Sequence, residues 1–193
     1  MKIVKHLLEG DGITQMVCKK NTAPLRSHSA IVIHYTAGGS GQQTALFLCR
    51  PEIKQSCNIL IDRDASIYQL NNFVTTSWHA GKSKWKDLTN LNYHSIGIEL
   101  ANFGKLHKVG DHYNTWFNKR VHPREVFTYI DPWTGNEQYY HKYTPAQLNR
   151  TLEVVKLLKK KYGIKWVLGH SDISAKLDPG PGFPMQDFQH INN

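Results

Sequence analysis

One α/β domain built on a mixed sheet is the fold class this sequence predicts, and three observations predict it. Short β-branched runs, Ile31-Val32-Ile33-His34 and Ser95-Ile96-Gly97-Ile98-Glu99-Leu100, read as strands. Helical periods are interspersed with these runs along the chain rather than collected at one end. The 193 residues, 40% hydrophobic and 11% aromatic, suffice for one well-filled core.

Taken in order, residues 1–30 are weakly patterned around a Gly10-Asp11-Gly12 turn and are expected to form an extended arm packed on the domain. Ile31–His34 runs into a flexible loop, Tyr35 to Gly41, and Gln42–Arg50 reads as a short helix with Ala45, Leu46 and Cys49 on one face. Cys57–Asp62 and Ser66–Leu70, joined by Arg63-Asp64-Ala65, read as a hairpin. Val74–Trp85 is loop-like and holds Trp78-His79-Ala80-Gly81. In the strand Ser95–Ala101, Glu99 alternates with the isoleucines and so faces away from them. Residues 102–143 show little period and are expected to be an insertion, with Glu125–Ile130 paired to Gln138–Tyr143. Thr144-Pro145 opens the clearest helix, with Thr as N-cap and Pro at the first helical position. Leu148, Leu152, Val155 and Leu157 or Leu158 form its apolar stripe, Lys159–Lys161 end it, and Gly163 stops it. A strand, Lys165–Leu168, follows. It leads into Gly169–Pro184, a loop that carries an imidazole, an ammonium and two carboxylates and whose end alternates proline with glycine.

Composition narrows the functional classes. No apolar run is long enough to span a bilayer, and the N-terminus lacks the continuous apolar stretch and small-residue cleavage site of a secretory signal. The chain is therefore expected to be cytoplasmic as synthesised, reaching a cell wall by another export route or by lysis. Cys18, Cys49 and Cys57 contain no Cys-x-x-Cys and are expected to be free, mostly buried thiols; spacing allows a Cys49–Cys57 bridge without arguing for it. A net charge of +9 favours a polyanionic partner, nucleic acid or an anionic wall polymer. No nucleic-acid reader motif accompanies the charge, so no nucleic acid and no membrane partner are expected.

Several side chains could do chemistry. His34 and His170 each end a predicted strand. If the two strands run the same way in one sheet, both imidazoles reach the same edge. Two imidazoles and a carboxylate, with a fourth position left to water, is a common catalytic zinc shell. Spacing alone does not choose Asp178 over Asp172 as the carboxylate. Glu99, a carboxylate on an otherwise apolar strand, is costly there unless it faces a wet cleft or a partner, and it could act as a base. Lys176 could direct its ammonium at a developing oxyanion.

The pieces Ile31–Ala37, Cys57–Leu70, Trp78-His79-Ala80-Gly81, Ser95–Asn102, Gly169-His170-Ser171-Asp172-Ile173 and Lys176-Leu177-Asp178-Pro179-Gly180-Pro181 occur in one order across most of residues 31–184. In that order they resemble the zinc-dependent N-acetylmuramoyl-L-alanine amidases of the type 2 family, which includes bacteriophage amidase lysozymes and is related to peptidoglycan recognition proteins. The Ser-Ile-Gly-Ile-Glu run and the Gly-His-Ser-Asp…Asp-Pro-Gly-Pro loop are its most specific motifs. The resemblance implies a single α/β domain, a mixed sheet flanked by helices, over residues 31–193, with an insertion at about 104–143. It implies a surface groove at one sheet edge that holds one Zn2+. It implies His34, His170 and Asp178 as ligands, Asp172 as structural, and Glu99 and Lys176 as catalytic. It places His79 and Trp78 in a groove-lining motif, and Asn58 where the family often has histidine, so these three are expected to bind substrate. The substrate would be peptidoglycan or a muropeptide, cut by a monomer at the amide between N-acetylmuramic acid and L-alanine. Zinc would polarise the carbonyl and activate water, with Glu99 as base and Lys176 at the oxyanion. The competing reading is a wall-binding module without turnover; relatives of that kind lack one ligand, and this chain has all three.

Overall fold

The computed structural model describes residues 1–16 and 18–191. The chain begins with a small hairpin, β1 (Lys2–Val4) and β2 (Leu7–Glu9), followed by β3 (Ile13–Gln15) and β4 (Ala30–Tyr35). Helix α1 (Gly41–Leu48) precedes β5 (Ile59–Ile61) and β6 (Ile67–Gln69). The short pair β7 (Lys84–Trp85) and β8 (Leu88–Thr89) leads to β9 (Ser95–Leu100). Five more strands follow: β10 (Lys105–Val109), β11 (His112–Asn114), β12 (Arg120–Val121), β13 (Val126–Ile130) and β14 (Glu137–His141). The chain closes with α2 (Pro145–Tyr162), β15 (Trp166–Gly169), α3 (His170–Ile173) and α4 (Met185–Gln189). No helix among the described residues is long and apolar enough to cross a membrane.

The main sheet has six strands in the order β15-β4-β9-β5-β6-β3. It is mixed, as predicted: β5 and β6 pair antiparallel, and every other neighbouring pair is parallel. Residues 13–15 of the expected arm extend this sheet beside β6. The two-residue period of the strands divides its faces. Ile31, Ile33, Ile59, Ile61, Ile96, Ile98 and Leu100 pack against Val154, Val155 and Leu158 of α2. Each of these fully buried aliphatic side chains contributes roughly 1.5–3 kcal/mol. Ala30 and Val32 look the other way, with Leu168, Ala80 and Ile173. His34 continues that second face and is 2% exposed.

Helix α2 forms as its ends predict. Thr144 Oγ1 accepts from the Gln147 amide at 3.0 Å, Pro145 occupies the first position, and Gly163 stops the helix at φ 66° while its N–H bonds Lys159 O. Gln147, fully buried, donates Nε2–H to Ile61 O at 3.0 Å and Ala101 O at 3.1 Å. One side chain thereby ties the helix start to the ends of β5 and β9.

Three sequence expectations need correction. Cys18 and Cys49 form a disulfide, and only Cys57 is a free, buried thiol. The pairing arises because Cys18 runs on beside β6, its N–H bonding Leu70 O, while Cys49 ends α1 above it. Spacing along the chain carries no trace of that juxtaposition. On α1, Ala45 and Leu48 are buried and Leu46 is 54% exposed. Residues 105–141 form a separate five-stranded antiparallel sheet, β12-β11-β10-β14-β13, of which the expected hairpin is only the β13–β14 part. Its small core, Phe103, Leu106, Val121 and Val126, is too sparse to imprint an alternation on the sequence.

Gln147→Leu is expected to lower stability by ~2–4 kcal/mol, because two buried carbonyls lose their donor. Urea denaturation with an unchanged m-value checks this.

Candidate metal and hydrolytic site

The parallel register builds the site. Gly169 of β15 lies beside Ile33 of β4, and His34 lies beside Glu99 of β9, so His170, His34 and Glu99 emerge at one end of three adjacent strands. His170 opens α3, where Asp172 Oδ2 accepts from the Gly169 amide at 2.8 Å. Asp178 is folded back onto this turn. Its carbonyl accepts from Ser171 N–H at 2.9 Å, and the next carbonyl, of Pro179, accepts from the buried Tyr143 hydroxyl at 2.7 Å. Gly169 is needed here: a Cβ would stand 2.7 Å from Pro179 Cδ.

Three acceptor atoms converge as a result. His34 Nδ1 lies 3.1 Å from His170 Nδ1 and 2.9 Å from Asp178 Oδ2, and His170 Nδ1 lies 3.0 Å from Asp178 Oδ2. The surrounding hydrogen bonds set the tautomers. Ser95 Oγ–H donates to Leu91 O at 2.6 Å, so its lone pair is left to accept from His79 Nε2–H at 3.3 Å. His79 Nδ1 then accepts from His34 Nε2–H at 3.0 Å, which leaves His34 Nδ1 unprotonated and aimed at Asp178. His170 Nε2–H points at Ala80 O, 3.4 Å away, with the same consequence for its Nδ1.

Two imidazole lone pairs and a carboxylate oxygen at these separations need a positive charge between them, either a proton or a metal ion. Burial lowers the pKa of His34, against the raising influence of Asp178, and so opposes the proton. Burial, reinforced by His34 and His170, pushes His79 well below the usual imidazole value and keeps the relay neutral. Burial would raise Asp178, yet hydrogen bonds from His170 and His34 and their charge hold it below the usual carboxylate range. The group is one that could hold a metal ion. Tetrahedral ligands at ~2.0–2.1 Å from zinc stand ~3.3 Å apart, close to the separations found.

Glu99 lies on the same end of β9. One carboxylate oxygen, Oε2, is buried with no hydrogen-bond partner among the described residues. Burial, with a smaller push from Asp178, raises this carboxyl to about 8. Glu99 also lines a cleft of about 500 Å³. An acid poised near neutrality beside a cleft can take and return a proton.

Residues 24–181 match the model of the N-acetylmuramoyl-L-alanine amidase family. The chain belongs to this family. It is 28% identical over 194 residues to N-acetylmuramoyl-L-alanine amidase AmiD of Escherichia coli K12, a match covering 94% of this chain and 59% of that protein. It is 27% identical over 142 residues to 1,6-anhydro-N-acetylmuramyl-L-alanine amidase AmpD of Haemophilus influenzae, covering 71% of this chain and 58% of that protein. The chain thus spans under two thirds of both relatives. A solved complex of E. coli AmiD with anhydro-N-acetylmuramic acid-L-Ala-D-gamma-Glu-L-Lys superposes with a TM-score of 0.63 at 30% identity, over 86% of this chain and 57% of that one.

Within this amidase-family fold the expected site residues fall into two groups. His34, His170, Asp178 and Glu99 stand together. Lys176 is exposed on the loop before Asp178, and its ammonium makes no hydrogen bond or ion pair among the described residues. Trp78 is 44% exposed and lines a second cleft of about 420 Å³ with Lys20, Lys54 and Gln55. Asn58 is not brought to either cleft. It is fully buried, accepts from Gly97 N–H at 3.0 Å and donates to Asn72 O at 3.0 Å and Thr75 O at 3.3 Å. His79 lies behind His34 over Gly97, where a Cβ would stand 2.5 Å from its ring. Sequence reasoning missed Ser95, a small polar residue at a strand start with no motif of its own, and Tyr143, whose partner Pro179 lies 36 residues along the chain.

Glu99 carries a sign for pH. Its folded pKa is raised from 4.5 to about 8, so its proton stabilises the fold fully below 4.5 and that stability is lost as pH rises through about 8. In metal-free protein, Glu99→Gln is expected to be more stable than the parent by ~1–2 kcal/mol at pH 9, a figure discounted for water in the cleft. The gap should close at pH 5; parallel urea curves at the two pH values measure it.

Proposed function

We propose that this protein hydrolyses the amide between the lactyl group of N-acetylmuramic acid and L-alanine in peptidoglycan fragments, using one zinc ion held by His34, His170 and Asp178. The observation that carries the reading is the convergence of three lone-pair atoms beside a buried, unpartnered carboxylate. The donor set fits zinc: two imidazole nitrogens and one carboxylate oxygen, with one tetrahedral position left over. Family membership, and a relative solved with a muropeptide substrate, support the substrate class.

Zinc, when bound, would polarise the amide carbonyl and lower the pKa of water toward ~7. The residues of this chain would do the rest. Glu99 Oε2 has no competing partner, so it can accept a proton from the attacking water and deliver it to the departing alanine nitrogen. Lys176 is the cation on the Asp178 loop and would neutralise the oxyanion, a contribution of ~3–4 kcal/mol where such a donor is removed. Asp172 and Tyr143 hold the loop that carries His170 and Asp178. His79 is a positioning residue: its Nδ1 fixes the His34 tautomer and takes no part in contacting substrate.

Three outcomes test the proposal. Chelation should abolish release of the peptide from a muropeptide, followed by mass spectrometry, and zinc should restore it. Glu99→Ala should retain zinc while kcat falls by ~10²–10⁴-fold; near-full activity would remove Glu99 from the mechanism. His79→Phe should bind zinc ~10–100-fold more weakly in competition with a chromophoric chelator, because His34 loses the acceptor for its Nε2–H.

A further inference from the structure

The cleft that reaches Glu99 has a second wall, supplied by the five-stranded sheet of residues 105–141. The turn between β11 and β12 carries Trp116 and Phe117, which are 67% and 42% exposed. Large aromatic side chains left in water on a rigid turn call for an occupant. The turn is rigid by construction. Asn118 N–H bonds Thr115 O at 3.0 Å, Lys119 N–H bonds the Thr115 hydroxyl at 3.0 Å, and Thr115 N–H bonds Lys119 O at 2.9 Å. Trp116 is also moored across the cleft, its indole N–H donating to Ala37 O at 3.0 Å. Phe117 stands edge-on to Trp116 at 5.1 Å and to the buried Phe103 at 5.9 Å. Phe103 in turn packs on Gly39, where a Cβ would stand 2.4 Å from its ring. On the facing side, α1 presents Phe47, 44% exposed, and the exposed amide of Gln43.

The chemistry of this lining is distinctive. Among the described residues that line it, the titratable groups are Glu99 and Tyr35, and a phenol is uncharged at neutral pH. Among the described residues, no lysine, arginine or aspartate lines it. The neighbouring cleft, which shares Gln55, carries Lys20 and Lys54 instead. The two halves of a muropeptide differ in the same sense. The saccharide is uncharged over its ring and shows an apolar C–H face with a hydroxyl and acetamido rim. The stem peptide carries carboxylates.

We propose, resting on the function above, that Trp116, Phe117 and Phe47 form a saccharide subsite. The muramyl ring lies against the Trp116 face, and the stem peptide leaves past Gln55 toward Lys54. The second sheet is then a specificity element that lets the enzyme select substrates carrying the sugar. Flat aromatic faces suit the C–H face of a pyranose, and unpaired amides suit its rim.

The test uses the full chain, zinc-loaded, with two probes that contain no scissile amide. One is the peptide-free disaccharide N-acetylglucosaminyl-N-acetylmuramic acid, and the other is the free stem tripeptide. The indole N–H resonance of Trp116, assigned by its loss in Trp116→Ala, should shift with the disaccharide and stay in place with the tripeptide. Trp116→Ala should weaken disaccharide binding about tenfold, raise KM for an intact muropeptide about tenfold, and leave tripeptide affinity within about twofold. Phe47→Ala, on the opposite wall, should weaken the disaccharide in the same direction. Shifts with the tripeptide alone, or equal losses for both probes, would overturn the assignment. Disaccharide binding at Trp116 in a protein that releases no peptide from muropeptides would instead sink the hydrolytic reading and keep the subsite.

Discussion

Three electron-pair donors held within 3.1 Å of one another are the constraint around which this molecule is arranged. Such a cluster repels itself unless a cation sits among its members, and the interior around it amplifies that repulsion. The fold supplies the convergence by parallel pairing: adjacent strands in register bring His34 and His170 to one end of the sheet, and a folded-back loop brings Asp178 to them. It supplies the orientation by a chain of hydrogen bonds running from Leu91 O through Ser95 and His79 to His34. A relay of neutral groups, each with one donor and one acceptor engaged, leaves a single tautomer at its far end.

Glu99 shows the same economy in reverse. The strand that places His34 beside it also buries one of its oxygens without a partner. Burial holds a proton on a carboxyl that water would strip, and thereby costs the fold stability as pH rises. Natural sequences keep such conflicts where chemistry needs them. Asn58 and Gln147 are the contrast. Both are fully buried amides, and each has its donor hydrogens on backbone carbonyls, so they hold elements together and offer nothing to a ligand.

Local signals in the sequence were enough for the parts of the fold built locally. The Thr144-Pro145 start and Gly163 stop of α2, the hairpin around Arg63-Asp64-Ala65 and the β-branched strands β4 and β9 all lie where their own residues place them. What escaped is what depends on distant pairing. The Cys18–Cys49 bridge joins an edge segment to a helix end, and β10–β12 lack the alternation that a deep core would enforce. The site was legible in part. Strand ends pointed to His34 and His170, while Asp178 rather than Asp172 came from family resemblance, since eight residues of loop can fold many ways. Asn58 is held by backbone partners and His79 backs His34, placements that a motif position does not reveal because it says nothing about which side of a strand or a ring a neighbour occupies.

In the proposed site His34, His170 and Asp178 share one metal ion. Zinc K-edge X-ray absorption on the zinc-loaded protein tests it most directly. With these three ligands the spectrum should show two imidazole rings and only nitrogen or oxygen scatterers at ~2.0–2.2 Å. A sulfur scatterer at ~2.3 Å, or an unchanged spectrum in Asp178→Ala and His34→Ala, would contradict it.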